Sequence, residues 1–349
     1  MSLYDDKLYM DDVRYVAELP LDWQQLEGCN LLISGASGMI GSFLIDVLLY
    51  KDIDCHIYAI GRSLERFNCR FKNRVDDGRL HFVAHDINEP LSIDLIRADF
   101  ILHLASNTHP VQYATDPIGT ITTNVLGALN MLDFAVNHYN RRFLFASSNE
   151  IYGENRGDKE LFSEDYCGYI DCNSLRAGYP ESKRCSEALC QAYAAKEKLN
   201  VVIARFTRSY GPTMLDTDTK AISQFIKKAV QGENIILKST GNQYYSYQYV
   251  ADSVSGLLTL LLCGETGEAY NIAAENSDIT LKDLAEMLAE TGNGKVVYEL
   301  PDAIEAAGYS KATKARLDGT KLLKLGWRPR YGIREGIKRT VAILRELNE

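Results

Sequence analysis

Long apolar runs, an excess of basic residues and closely paired cysteines are all missing from this chain. No apolar stretch approaches the roughly 18 residues that a membrane-spanning helix needs, which excludes a membrane anchor of that kind. The 38 Lys and Arg residues are outnumbered by 47 Asp and Glu residues, and the formal net charge is -9. This balance excludes DNA or RNA as the main partner, because phosphate backbones are bound by clustered positive charge.

The eight cysteines show no C-x-x-C spacing and have no histidine cluster beside them. We therefore predict reduced thiols and no metal site. Pro-rich linkers, internal repeats and low-complexity tracts are also missing. A chain of 349 residues without such linkers is expected to form either one large domain or two interleaved lobes that share a cleft.

The first 28 residues are acidic and polar, beginning MSLYDDKLYMDDVRY. They lack the basic start and apolar middle of a signal peptide, so we expect a cytoplasmic protein. We interpret residues 1–28 as an N-terminal extension that lies over the folded domain.

The stretch CNLLISGASGMIG, residues 29–41, has the pattern of a strand, a glycine turn and a helix. Gly35 permits the tight turn, Gly38 lets the backbone approach a pyrophosphate, and Gly41 lets the helix pack closely on the strand. Free N–H groups at the start of the helix bind phosphates. The sequence thus predicts a dinucleotide site here, and its remaining contacts are expected from Ser37, Met39 and Ile40.

Apolar strands alternate with helical stretches as far as residue 205, which predicts an α/β fold of the Rossmann type with a doubly wound parallel sheet. We expect a dinucleotide-binding domain over 29–205, with a return segment at about 245–272. A smaller α/β substrate-binding lobe is expected from 206–244 and 273–349. The tyrosine-rich run at 244–249 is expected either to stack on a base or to pack between these parts. His103, on an apolar strand, is expected to be a core histidine.

The second strand ends at Arg62 and Ser63, where a dinucleotide fold meets the adenosine ribose. An acidic residue at this position would favour NAD, whereas Arg62 and Ser63 could accept the 2′-phosphate of NADP, so both cofactors remain open. Further contacts to the cofactor are expected after the third and fourth strands, from Asp86, Ile87, Leu104, Ala105 and Ser106.

Tyr179 and Lys183 are four residues apart and would project from the same face of a helix. A nearby ammonium, aided by a positive nicotinamide ring, lowers the pKa of a tyrosine and makes it a base near neutral pH. Ser148 follows the fifth strand and would lie at the same edge of the sheet. These three residues form the strongest catalytic group in the sequence.

The motifs GASGMIG, HDINEP, HLAS, TNVLGALNML, SSNEIYG, YPESK, RFTRSYGP and YQYVAD occur in an order and spacing that resemble extended short-chain dehydrogenase/reductases acting on nucleotide sugars. The resemblance covers about residues 29–336. It is nearest to UDP-glucuronate decarboxylases, with dTDP-glucose 4,6-dehydratases and UDP-hexose 4-epimerases as relatives. It implies a nucleotide-sugar substrate, a tightly bound NAD or NADP, and a homodimer formed by the helices at about 120–137 and 180–197.

By this resemblance, Tyr179 takes a proton from the sugar 4-hydroxyl while hydride leaves C4. Lys183 holds the nicotinamide ribose, Ser148 hydrogen-bonds the same sugar oxygen, and Glu150 acts near C5. Asn124 is expected near the cofactor, and Ser106 and Asn107 near the substrate. The 4-keto intermediate can then be decarboxylated, dehydrated or epimerised.

Three positions depart from the family pattern. Asn149 replaces a serine of the decarboxylases or an aspartate of the dehydratases, Arg208 replaces an asparagine, and Tyr245 replaces an arginine that grips the pyrophosphate. Arg208 is expected to supply the charge lost at Tyr245. Arg176 and Arg316 are further candidates for binding phosphate or a sugar carboxylate.

The sequence thus predicts decarboxylation or dehydration of a nucleotide sugar through a 4-ketone, with 4-epimerisation as the alternative reaction. An alternative of another class is a regulatory protein that binds the cofactor without turnover.

Overall fold

The computed structural model describes residues 2–93, 95, 97–108, 110–299, 301 and 313–348. Positions of the expected segments 1–28, 29–205 and 273–349 that fall elsewhere lie outside the described residues. The strands are β1 (Cys29–Ser34), β2 (Cys55–Gly61), β3 (Leu80–Ala84), β4 (Phe100–His103), β5 (Arg142–Ser148), β6 (Val201–Phe206), β7 (Arg208–Tyr210), β8 (Ile235–Leu237), β9 (Tyr244–Tyr249), β10 (Ala269–Ile272), β11 (Asp278–Thr280), β12 (Val296–Tyr298) and β13 (Lys314–Ala315).

The α-helices of the described residues, numbered in chain order, are α1 (Lys7–Ala17), α2 (Met39–Lys51), α3 (Leu64–Phe71), α4 (Pro110–Thr115), α5 (Pro117–Asn137), α6 (Gly178–Lys196), α7 (Ala221–Gln231), α8 (Val250–Cys263), α9 (Leu281–Gly292), α10 (Thr320–Lys324) and α11 (Ile333–Asn348). None of these helices is long and apolar enough to cross a membrane.

Seven strands form the large sheet in the order β10-β6-β5-β4-β1-β2-β3, and every neighbouring pair is parallel. Helices cover the sheet, so its central strands are buried and read as near-continuous apolar runs. The reversal of strand order between β1 and β4 leaves a crevice at their carboxyl ends, where open α/β sheets bind ligands. The expected doubly wound parallel sheet is confirmed.

A smaller sheet has the order β11-β9-β13, with β7 paired to the other part of β9, and β8 pairs with β12 nearby. The expected return segment, about 245–272, therefore contributes β9 to the small sheet and β10 to the large one. Tyr247 and Tyr249 of the tyrosine-rich run are almost fully buried, and the Tyr249 hydroxyl donates to Asp12 Oδ2 at 2.6 Å. For these two tyrosines the structure shows packing between elements.

Helix α2 is apolar on nearly all sides because it is enclosed: the sheet lies on one side, and α1 and α8 pack on others. Tyr9 on α1 is fully buried and donates to Asp46 on α2, which also accepts from Tyr4 at 2.7 Å. Arg70 on α3 pairs with the same carboxylate. Residues of the N-terminal segment thus pack on α2 and complete the burial of the helix that follows the glycine turn.

Candidate active site

The glycine turn after β1 has the shape that a dinucleotide requires. Gly35 has a φ of +72°, and a Cβ there would come within 2.8 Å of the backbone nitrogen of Ala105. A Cβ on Gly41 would come within 2.6 Å of the Gly35 carbonyl oxygen, so α2 packs on this turn only with glycine. Gly38 caps α2 without a side-chain acceptor, which leaves the N–H groups of its first turn for an anion. Ser37, Met39 and Ile40 lie in the same turn.

At the end of β2, Ser63 and Arg62 each have a partner within the protein. The Ser63 hydroxyl oxygen accepts from the N–H of Arg66 at 3.1 Å and so serves as the cap of α3. The Arg62 side chain is exposed, and its guanidinium lies 3.9 Å from the Asp86 carboxylate, which already supplies a counter-charge. Ile87 is buried beside Gly127 of α5.

The residues after β4 connect the glycine turn to the catalytic helix. The N–H of Leu104 donates to the Ser34 carbonyl at 3.2 Å, and the N–H of Ala105 donates to the Ser34 hydroxyl at 3.2 Å. The Ser106 hydroxyl donates to Asn124 Oδ1 at 2.7 Å, next to the half-buried Asn107. Asn124 is fully buried in α5, and this hydrogen bond fixes the orientation of the Ser106 hydroxyl.

Helix α6 carries Tyr179 and Lys183 on one buried face. Ser148 and Ser106 lie beside the Tyr179 hydroxyl, and both act to lower the pKa of that phenol. Lys183 Nζ donates to the Ala146 carbonyl at 2.8 Å and lies 4.8 Å above the Phe145 ring. The structure therefore brings together the tyrosine, lysine and serine that the sequence placed in one catalytic group.

The expected lowering of the Tyr179 pKa by Lys183 is not found among the chain's own groups. Burial, followed by the charge of Glu150, raises the pKa of Tyr179 to about 12, although Ser148, Arg176 and Ser106 oppose the shift. Burial also lowers the pKa of Lys183 to about 7. Desolvation penalises both charged forms, so the side chains alone keep the phenol protonated near neutral pH.

Glu150 and Arg176 form an ion pair beside Tyr179. Their nearest oxygen and nitrogen are 2.5 Å apart, and both side chains are largely buried. The Arg176 guanidinium also lies 4.6 Å over the ring of Tyr113, and that ring stacks on Tyr179 at 4.7 Å. Tyr113 was missed in the sequence. The feature that could have pointed to Tyr113 is that it is an aromatic residue in the segment after β4, close to the carboxyl edge of the sheet.

An open cleft with about 560 Å³ of empty space lies against this ion pair. Asn149 and Glu150, directly after β5, and Arg176, directly before α6, line it on one side, and Arg208 on β7 also lines it. The Arg208 guanidinium lies 3.5 Å over the ring of Tyr245 on the neighbouring strand. Two of the three positions that depart from the family pattern are therefore in direct contact.

The comparisons with known proteins agree with this geometry. The model of the NAD dependent epimerase/dehydratase family matches residues 31–273. The chain belongs to this family. Among its relatives, UDP-glucuronic acid decarboxylase 1 of Xenopus tropicalis is 34% identical over 323 residues, covering 91% of this chain and 72% of the relative. UDP-glucuronic acid decarboxylase 5 of Arabidopsis thaliana is 33% identical, covering 88% and 87%.

A solved structure also resembles this epimerase/dehydratase family member closely. It is the dTDP-glucose 4,6-dehydratase DesIV from Streptomyces venezuelae with NAD and TYD bound, and it is 26% identical with a TM-score of 0.78. The likeness covers 91% of this chain and 97% of the other. The cofactor of the family is NAD, which agrees with the surroundings of Arg62 and Ser63.

Two further expected residues lie away from the cleft. Arg316 is within 3.9 Å of the carboxylates of Glu160 and Asp278, and it lies 4.6 Å over the Tyr244 ring. Tyr244 is next to Tyr245 in a strand, so its side chain points to the opposite face, and the role of Arg316 in binding stays a prediction. His103 is fully buried with Nδ1 2.8 Å from the Ser34 hydroxyl, as expected of a core histidine.

Proposed function

We propose that this family member oxidises a UDP-sugar at C4 and decarboxylates UDP-glucuronate through the 4-ketone. The observation that carries the proposal is the position of Tyr179, which is buried beside Ser148 and beside the Glu150–Arg176 pair that lines the cleft. NAD, held at the glycine turn, would supply the oxidant for C4 and return the hydride afterwards. The names of the two relatives, both UDP-glucuronic acid decarboxylases, support the choice of substrate.

The side chains at the cleft divide the work as follows. The positive nicotinamide ring of bound NAD would favour the phenolate of Tyr179, which then receives the proton of the sugar 4-hydroxyl, and Ser148 positions the oxygen that becomes the ketone. Lys183, whose Nζ donates to the Ala146 carbonyl, would hold the ribose of the nicotinamide nucleoside. Glu150 would face the carbon next to the ketone, and its ion pair with Arg176 fixes the carboxylate in position.

Asn149 favours decarboxylation over dehydration. Loss of CO2 from a β-keto acid breaks the C5–carboxylate bond and leaves its electron pair on the ketone, so no acid has to protonate a leaving group. Loss of water at C6 does need such an acid, and an asparagine amide cannot supply the proton. Asn149 is buried at the cleft, where its carboxamide remains neutral.

The test is product analysis with UDP-glucuronate, dTDP-glucose and UDP-galactose. We expect CO2 and a UDP-pentose from UDP-glucuronate, whereas a dehydrated keto sugar or an exchange of isomers would identify the dehydratase or the epimerase. Tyr179→Phe should abolish turnover without unfolding the protein, and Tyr139→Phe, at an exposed tyrosine, is the matched control. NAD binding without turnover of any of the three sugars would point instead to a regulatory protein.

We also propose that the protein forms a homodimer through α5 and α6, which pack against each other. Ile118, Ile121 and Leu126 on α5 are exposed, with 75%, 42% and 40% of their surface accessible. Burial of these side chains against a second copy would remove apolar area from water. Light scattering of the wild type and of Ile121→Asp tests this: a dimer is expected for the first and a shift toward monomer for the second. The cytoplasmic location and the division into two lobes stay predictions.

A further inference from the structure

Arg208 is a cation in the cleft that the described protein does not neutralise. It lies on β7, directly opposite Tyr247 of β9, and its guanidinium reaches along that face to cover the Tyr245 ring. Its Nη1 atom is buried and has no hydrogen-bond partner among the described residues. Within the same residues no carboxylate lies within ion-pair distance of it. A buried guanidinium N–H without an acceptor is an incomplete interaction.

The other charged residues at the cleft do not neutralise Arg208. Glu150 is paired with Arg176, so those two charges compensate each other. Glu154 and Asp171 also line the cleft, but Glu154 is exposed, and no contact joins either carboxylate to Arg208 in the described chain. Among the described residues at the cleft, the positive charge of Arg208 therefore has no carboxylate that compensates it.

We propose that Arg208, held flat on Tyr245, binds an oxyanion of the substrate, either its diphosphate or its sugar carboxylate. Both groups present paired oxygens that fit the fork of guanidinium N–H donors. This inference rests on the proposed function, since it takes a nucleotide sugar as the ligand, and it names the residue that recognises the ligand's charge.

The tyrosine ring gives the arginine its geometry. Tyr245 is only 6% exposed, and its ring provides a flat surface for the guanidinium. Stacking fixes the plane of the guanidinium and leaves the N–H groups at its edge to point outward. A lysine would keep the charge but would lose both the stacking and the paired donors.

The experiment measures binding of UDP, UDP-glucose and UDP-glucuronate to the NAD-loaded enzyme and to Arg208→Gln by calorimetry. We expect the variant to lose about 10–100-fold in affinity. A loss for all three ligands assigns Arg208 to the diphosphate, and a loss for UDP-glucuronate alone assigns it to the carboxylate. Equal affinities of wild type and variant for every ligand would overturn the inference while leaving the proposed function intact. A wild type that binds none of the three would overturn both.

Three further variants serve as controls for this experiment. Arg334→Gln removes an exposed arginine and should not change any affinity. Tyr245→Leu keeps Arg208 but removes its platform, and it should weaken the same ligands as Arg208→Gln by a smaller factor. The double variant Arg208→Asn/Tyr245→Arg moves the charge to the neighbouring strand, and we expect it to regain part of the affinity lost by Arg208→Asn. A folded double variant that regains none would assign the loss to cleft shape and contradict the charge argument.

Discussion

Replacing Lys183 with methionine should change how the stability of the protein depends on pH. The Lys183 ammonium is fully buried, and burial lowers its pKa from 10.5 to about 7. In the unfolded chain the same lysine titrates at its ordinary value. Between about pH 7 and pH 10.5 the unfolded state therefore holds a proton that the folded state has released.

The sign and size of the effect follow from this difference. Stability rises with pH wherever the unfolded state binds more protons, so the folded wild type gains as pH rises through that window. At about 1.4 kcal/mol per pKa unit, the gain between pH 7 and pH 9.5 is about 3 kcal/mol. Lys183→Met has no such titration, and every other titrating group is shared by the two proteins and cancels in the comparison.

The assay is urea unfolding at pH 7.0, 8.0, 9.0 and 9.5, followed by the fluorescence of the two buried tryptophans, Trp23 and Trp327. The free energy of unfolding of the wild type should rise relative to that of Lys183→Met across the series. Lys196→Met, at an exposed lysine at the end of the same helix, should run parallel to the wild type. Parallel curves for Lys183→Met and the wild type would show that Lys183 stays charged in the folded protein and would refute the reasoning.

Three other changes test separate contacts. Gly35→Ala forces a Cβ to within 2.8 Å of the Ala105 nitrogen at a positive φ, so we expect loss of NAD binding in a thermal-shift titration. Gly157→Ala is the control, because Gly157 also has a positive φ but has open space around it, and it should cost only about 1 kcal/mol of stability. Tyr113→Leu removes the ring that stacks on Tyr179 and should lower kcat about tenfold with a smaller change in KM. Tyr113→Phe keeps a ring and should retain most of the wild-type rate. Equal rates for the two variants would exclude the stacking role. Arg205 donates two hydrogen bonds to the buried Glu187 carboxylate, from Nε at 3.0 Å and from Nη2 at 2.7 Å. Arg205→Met leaves that carboxylate without its partner and should lower the free energy of unfolding in urea by about 3–5 kcal/mol. A loss below about 1 kcal/mol would show that the pair is dispensable.

Much of the large sheet could be predicted from the chain itself. The strand expected before the glycine turn is β1, and the parallel sheet expected from the alternating strands and helices is observed. Parallel strands covered on both faces leave a strong apolar signal, and the glycine turn leaves a strong spacing signal. The small sheet was harder to predict, because β7, β8, β11 and β13 have only two or three residues each. Such short strands form through pairing with distant residues, not through a pattern of their own.

The candidate site shows the same division. Tyr179, Lys183 and Ser148 could be predicted because helical spacing and a strand end place them near each other. Tyr113 could not, because its stacking on Tyr179 depends on how α4 packs against α6. The pKa of Tyr179 was expected to fall beside an ammonium and a positive nicotinamide ring, whereas the protein's own groups raise it to about 12. The sequence shows which charges are near in the chain, whereas burial, the largest cause of this shift, belongs to the folded protein.

By itself the sequence determined that a dinucleotide turn, a tyrosine–lysine helix and a serine at a strand end occur in one α/β chain, since each depends on local spacing. It also showed that Arg208 and Tyr245 depart from the family. Only the tertiary structure decided that these two residues, 37 positions apart, lie face to face, because parallel pairing of β7 with β9 brings them together. The same packing pairs Arg176 with Glu150 and leaves the charge of Arg208 for a ligand. Contacts of this kind join distant segments, and no local pattern records them.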